Sequence, residues 1–152
     1  MALLLATWYL LMAKPETRFR NRMRDNLKGD FSVMQIESGD TAPGVPDTHL
    51  LLKGTNKTCW VELKVEKERP YKIDLRKTQV PWLRKYWRNG GKCFIALNVE
   101  DENVVYIWSG SLAMELYQGA NIFFLPYAVF YPRRNGEWRR LSEFLIRGLN
   151  HD

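Results

Sequence analysis

The chain is poor in the residues that do thiol, imidazole and soft-metal chemistry. Its 152 residues include two cysteines, Cys59 and Cys93, and two histidines, His49 and His151. Two cysteines exclude a disulfide-dense secreted scaffold and a cysteine-built zinc site. Two histidines, one of them penultimate, leave little for imidazole-based metal binding or nucleophile activation. Internal repeats, low-complexity tracts and dividing linkers are absent. The apolar segment 1–13 is too short to span a bilayer as a helix, and it lacks the positive leader of a signal peptide. It reads as a packing or dimer-contact helix, or as sequence upstream of an alternative start at Met12. The rest, residues 14–152, reads as one domain.

What the chain has is material for a core. Hydrophobic residues make up 45% and aromatic residues 13%, with six tryptophans among them, so disorder does not describe the whole. The formal net charge of +6 points to a polyanionic partner, and its distribution says more. Residues 14–28 carry a local excess of +4, residues 64–92 of +7 and residues 131–147 of +3, leaving −8 for everything else. The acids in that remainder include Asp30, Glu37, Asp40, Asp47 and Glu62. Bases that meet phosphates and acids that hold a cation would account for both signs.

The periodicities predict an α/β domain in the order αβββαββαβα with a mixed central sheet. Residues 15–28 read as a helix begun by Pro15 and stopped by Gly29, with Phe19, Met23 and Leu27 as its apolar stripe. Strands are predicted over 31–37, 47–53 and 58–65, the last two joined by a turn at Gly54-Thr55-Asn56-Lys57. A helix over about 79–89 follows, with Thr78 as N-cap and Gly90-Gly91 as its stop. Strands 92–98 and 104–108, a short helix begun by Ser109 or Ser111, an apolar strand in 121–131 and a helix over 142–149 complete the chain.

Strand 58–65 carries the chemistry. Alternation puts Trp60, Glu62 and Lys64 on one face and Cys59, Val61, Leu63 and Val65 on the other. A lone Glu-x-Lys is ordinarily an exposed ion pair. The preceding strand changes that reading. It opens with Gly44-Val45-Pro46-Asp47, and a hairpin of 47–53 with 58–65 brings Asp47 beside Glu62 to Lys64. Two carboxylates so placed suit Mg²⁺, which takes one or two of them and completes its shell with water and substrate phosphate. Lys64 would orient or deprotonate the attacking water and screen charge on the phosphate.

Pro46-Asp47, a spacer and Glu62-x-Lys64 resemble the signature of the PD-(D/E)xK nuclease superfamily. The Gly-Val-Pro-Asp form, the Trp-Val-Glu-Leu-Lys strand and the glutamine that opens the next helix look most like its VRR-NUC branch, which includes compact stand-alone nucleases of phages. The resemblance covers about residues 14–98. It implies a restriction-endonuclease-like core, a mixed central β-sheet flanked by helices. By position it implies Asp47 and Glu62 as metal ligands, with the carbonyl of Leu63 as a third. It implies Lys64 as the catalytic lysine, Gln79 as the motif glutamine and Glu16 as the acid of the first helix, a catalytic and metal-binding residue. The stripe independently points Glu16 inward, since it lies three residues before Phe19; the other reading is a first-turn acid favoured by the helix dipole. Glu37 competes as a peripheral ligand but reads better as a loop residue. Arg76 contacts a phosphate or is solvated, His49 reads as a sheet histidine, and Trp82, Leu83 and Tyr86 read as core, with Tyr86 or Trp87 as a possible base-stacking surface.

The expected function is therefore a Mg²⁺-dependent endonuclease, with Mn²⁺ as substitute, that hydrolyses DNA to leave a 5′-phosphate. With no zinc finger or recognition helix in the sequence, structure-selective cutting of branched DNA such as a Holliday junction is expected, by a homodimer in the cytoplasm (the host's, if phage-encoded) and away from membranes. The alternatives are a restriction-like or flap-type nuclease of the same superfamily, and a basic nucleic-acid-binding protein without catalysis.

Overall fold

A computed structural model of the protein describes residues 1–36, 43–119 and 121–151, with only the backbone for residues 8–12. Six strands form one mixed sheet in the order β1-β2-β3-β4-β5-β6. They are Phe31–Gln35, Thr48–Leu52, Thr58–Glu66, Lys92–Val99, Val104–Ser109 and Ala128–Phe130. Neighbours pair antiparallel except β3 and β4, which are parallel and joined through a helical crossover. The helices are α1 (Ala2–Met12), α2 (Pro15–Leu27), α3 (Gln79–Arg88), α4 (Ala113–Gln118) and α5 (Glu137–Asn150). Beyond α1 this is the predicted αβββαββαβα order and the predicted α/β class.

Each face of the sheet buries its own apolar layer. Phe19, Met23 and Leu27 of α2 and Leu141, Leu145 and Leu149 of α5 cover Leu50, Cys59, Val61, Leu63, Phe94 and Ala96. On the other face, Val80 and Leu83 of α3 and Leu116 of α4 cover Cys93, Ile95, Leu97, Tyr106 and Trp108. Alternation along β3 therefore sends Val61 and Leu63 to the α2 face and Trp60 to the α3 face. Both cysteines are free and buried, and burial pushes each thiol up to about 12, so neither is a nucleophile at neutral pH.

The β2–β3 register places the motif. His49 pairs with Trp60 and Thr48 with Val61, so Asp47 falls opposite Glu62, just past the end of the ladder. Gly54, at φ +76, makes the hairpin turn. Gly44 is fixed more strictly. Its φ is +87, and a Cβ there would sit 2.2 Å from the carbonyl oxygen of Thr78. The loop before Asp47 thus packs directly on the start of α3, and only glycine permits the approach.

Several local expectations change. Thr78 occupies the N-cap position of α3 but makes no side-chain capping bond. Segment 121–131 is not one strand. Ile122–Phe124 is a 3-10 turn in which the Asn121 side chain accepts from the Phe123 N–H at 2.9 Å, Pro126 follows, and only Ala128–Phe130 joins the sheet. The segment is apolar because it packs over Tyr106 and Trp108, not because it is a long strand. The last helix starts five residues earlier than predicted, at Glu137, after Gly136 at φ +78. Helix α1 leaves Leu3, Leu4 and Leu5 exposed. Among the described residues no helix is long and apolar enough to cross a membrane.

Phe19 is completely buried between α2 and the sheet. Phe19→Ala is expected to lower unfolding free energy by about 3–5 kcal/mol in urea titrations, because the cavity cannot close against two strands and a helix.

Candidate active site

Three sequence-selected residues, Asp47, Glu62 and Lys64, meet at one end of the sheet. Asp47 precedes β2, while Glu62 and Lys64 follow Trp60 along β3. Gln79 opens α3 one turn before Trp82, whose ring stands edge-on to Trp60 at 5.8 Å. Because α3 returns against β3, that turn lies over the Glu62 end of the strand.

Asp47 is 18% exposed. One oxygen accepts from the Leu63 N–H at 3.3 Å and from the Thr48 hydroxyl at 3.4 Å. The other lies 3.8 Å from an Arg20 Nη. Burial first, and then the Glu62 carboxylate, push the Asp47 carboxyl up to about 7, against the opposing pull of Arg20 and the two hydrogen bonds. The Leu63 N–H is free to serve Asp47 because the β2 ladder ends at the Thr48–Val61 pair. In a strand, a residue's N–H and C=O point to the same edge, so the Leu63 carbonyl also faces the Asp47 side.

Glu62 is 5% exposed. One oxygen is 3.4 Å from the Lys64 ammonium, while Oε2 is buried without a hydrogen-bond partner. Gln79 is 1% exposed; its Oε1 accepts from the Arg76 N–H at 2.9 Å, and its Nε2 is buried without a partner. The Arg20 Nε is in the same condition. Each such atom costs about 1–3 kcal/mol, and the orphaned Glu62 oxygen, beside Asp47 and Lys64, marks a site built for something beyond the chain's own contacts. The donors fit a hard cation. Two carboxylates and a carbonyl edge match Mg²⁺, which keeps several waters, and no soft ligand is present for zinc. Among the described residues there is no group of three or more His, Cys, Asp and Glu side chains close enough to hold a metal by themselves.

Glu16 is a correction. It is exposed, not turned inward, and it adds no third carboxylate to Asp47 and Glu62. Helical side chains lean toward the N-terminus, and as the acid of the first turn Glu16 stands where the helix dipole favours its charge. Glu37 lies outside the described residues. Arg76 is exposed and contributes only its backbone N–H, to Gln79. His49 packs on Trp60 with centroids 4.7 Å apart, and burial lowers its pKa. Leu83 is core, whereas Trp82 and Tyr86 are half-buried and stacked at 5.0 Å, extending an aromatic row away from the site. Arg20 is the residue that sequence reading missed. It lies 100° around α2 from Phe19, on the flank of the stripe, yet nothing in the sequence separates it from the helix's other arginines.

No protein-family model matches the chain, and no curated protein does. Among solved structures, the chain is similar to Hjc of the archaeal hyperthermophile Archaeoglobus fulgidus, a Holliday junction resolvase, with a TM-score of 0.50 and 21% identity over 63% of this chain and 78% of that one. The likeness is one of fold.

The Asp47 carboxyl gives a pH prediction for the cation-free protein. Folded, it keeps its proton up to about pH 7; unfolded, it releases it near the ordinary 3.8. Folding therefore takes up a proton between those values, and stability falls as pH rises from about 4 to about 7. In EDTA, Asp47→Asn is expected to flatten this part of the stability–pH curve and to raise stability at pH 8, by at most about 4 kcal/mol at 1.4 kcal/mol per unit. Urea titrations at pH 4, 6 and 8 measure it.

Proposed function

We propose that the chain is a divalent-cation-dependent DNA endonuclease of the PD-(D/E)xK superfamily, VRR-NUC type, selective for branched DNA such as a Holliday junction. The observation that carries the reading is the pairing of Asp47 with the buried Glu62, which keeps an unsatisfied oxygen, beside Lys64. The likeness in fold to a Holliday junction resolvase and the three basic segments support it.

Asp47, Glu62 and the carbonyl of Leu63 would hold Mg²⁺, or Mn²⁺ in its place. When bound, the cation supplies Lewis-acid polarisation of the phosphate and a lowered pKa for an attacking water. The chain's own residues do the rest. Lys64, held by Glu62, aligns the water with the phosphorus and balances the negative charge that develops on the phosphoryl oxygens. The free Gln79 amide N–H₂ donates to the water or to a phosphate oxygen. Arg20 limits repulsion between the carboxylates. The water oxygen bonds to phosphorus as the bond to the 3′ oxygen breaks, leaving a 5′-phosphate and a 3′-hydroxyl. Basic segments contact backbone phosphates and confer affinity without base reading. Symmetric cutting of a junction requires two sites and hence a homodimer, for which the exposed leucines of α1 and Phe124, 85% exposed, offer apolar surface. A DNA substrate of this kind places the enzyme in the cytoplasm.

Incubation with four-way junctions, flaps, linear duplex and supercoiled plasmid in Mg²⁺, Mn²⁺ or EDTA tests this. Cleavage is expected with either cation, fastest on the junction, and Lys64→Ala is expected to slow it about 10²-fold or more. Cleavage in EDTA, or full activity in Lys64→Ala, would contradict the reading. Preference for flaps or duplex selects the other nuclease alternatives, and metal-independent junction binding without cutting selects the non-catalytic binder.

A further inference from the structure

Helix α2 carries arginines on both flanks of its apolar stripe. Arg20 takes one flank and reaches Asp47, while Arg18 and Arg22, one turn apart, take the other. That second flank lines a surface pocket of about 420 Å³ with Asn98 of β4, Glu100 after β4, and Arg133 beyond β6. Most of its charges are already committed. Arg18 binds Glu100 at 3.1 Å and the Ala13 carbonyl at 2.6 Å, and Asp25 pairs with Arg24 at 3.1 Å.

Arg22 and Arg133 are different. Among the described residues no carboxylate lies within 4.0 Å of either guanidinium. Arg22 is half-buried, and burial, with Arg133 and Arg18 nearby, lowers its pKa against the attraction of Glu100. Its polar partner is neutral. With the Asn98 amide oriented to satisfy both its atoms, the oxygen accepts from an Arg22 Nη at 2.7 Å and the nitrogen donates to the Val104 carbonyl at 3.2 Å. The buried Asn98 thus steers Arg22 without neutralising it. Two guanidinia in one pocket with no carboxylate in contact suit an anion, and their planar forks fit phosphate oxygens; Glu100, paired with Arg18, attracts Arg22 only at longer range.

The pocket's position relates it to the candidate active site. Lys64 pairs with Leu97 and Val65 with Asn98 across the parallel β3–β4 ladder. Asn98 and Val65 face α2, whereas Glu62 and Lys64 share the opposite face with Trp60, so the pocket opens beyond the same ends of β3 and β4 as Lys64 but on the α2 side of the sheet, the side from which Arg20 reaches Asp47. We propose that Arg22 and Arg133 bind a backbone phosphate of the nucleic acid on the α2 side of the sheet, outside the phosphate held at the catalytic carboxylates. The site rests on the nuclease reading and adds to it a fixed path for the strand across the N-terminal half of α2.

Fluorescence anisotropy of a labelled four-way DNA, in EDTA so that nothing is cut, tests the proposal over a range of salt. Arg22→Gln/Arg133→Gln is expected to weaken binding about tenfold and to reduce the slope of log affinity against log salt by about 1, with Arg22→Lys/Arg133→Lys restoring the slope. Arg133 is exposed, so Arg133→Gln alone carries the test if the double variant fails to fold. An unchanged slope in a variant of a chain that binds DNA would overturn the site and leave the nuclease reading standing. Wild-type protein that neither binds nor cuts DNA would overturn both. Orthophosphate that raises the wild-type melting temperature, while the variants bind DNA normally, would make this a small-anion site and overturn the proposed strand contact.

Discussion

Two carboxylates held out of water at the end of a sheet set the terms for the surrounding structure. Asp47 and Glu62 are opposed across the β2–β3 register, and the Glu62 carboxylate adds to the cost of charging Asp47. Lys64 and Arg20 offset part of that cost, at 3.4 and 3.8 Å, but one Glu62 oxygen remains without a partner. A fold optimised only for stability would remove such a pair, since breaking or burying unpaired charge is expensive. Keeping it requires a supporting frame. Gly44 against the Thr78 carbonyl, the Leu63 N–H freed by the end of the β2 ladder, and the apolar layers on both faces form that frame.

Much of the frame was legible in the sequence because its signals are local. Alternation along Thr58–Glu66 separates Glu62 and Lys64 from Val61 and Leu63, and the Gly54 turn fixes the hairpin that brings Asp47 alongside. Gly90 and Gly91 close α3 at the predicted place. The gathering of Asp47, Glu62 and Lys64 followed from those elements.

What escaped the sequence depends on packing between distant segments. Glu16 shares the stripe of Phe19 on a helical wheel, but a wheel does not show that its side chain stays exposed. Arg20 and Arg22 are two residues apart in a run of alternating arginines; one faces Asp47 and the other Asn98 because two residues on a helix stand about 200° apart, and which of the two meets the site depends on how α2 packs. Segment 121–131 has strand-like composition, yet its aromatics serve a patch around Tyr106 and Trp108 instead of a ladder. Basic and acidic residues thus divide by position along one sheet end: acids where a cation would bridge to phosphate, arginines on either side. The net charge of +6 conceals that division because the two signs partly cancel.

The central claim is that the Asp47–Glu62 pair exists to be bridged by a hard cation. Calorimetric titration of Mn²⁺ into wild-type protein and Glu62→Gln, in two buffers of different protonation enthalpy near pH 6.5, tests it most directly. The account predicts binding by the wild type with net proton release from Asp47, and at least tenfold weaker binding by Glu62→Gln. Equal binding by the two proteins, or none by the wild type, would contradict it.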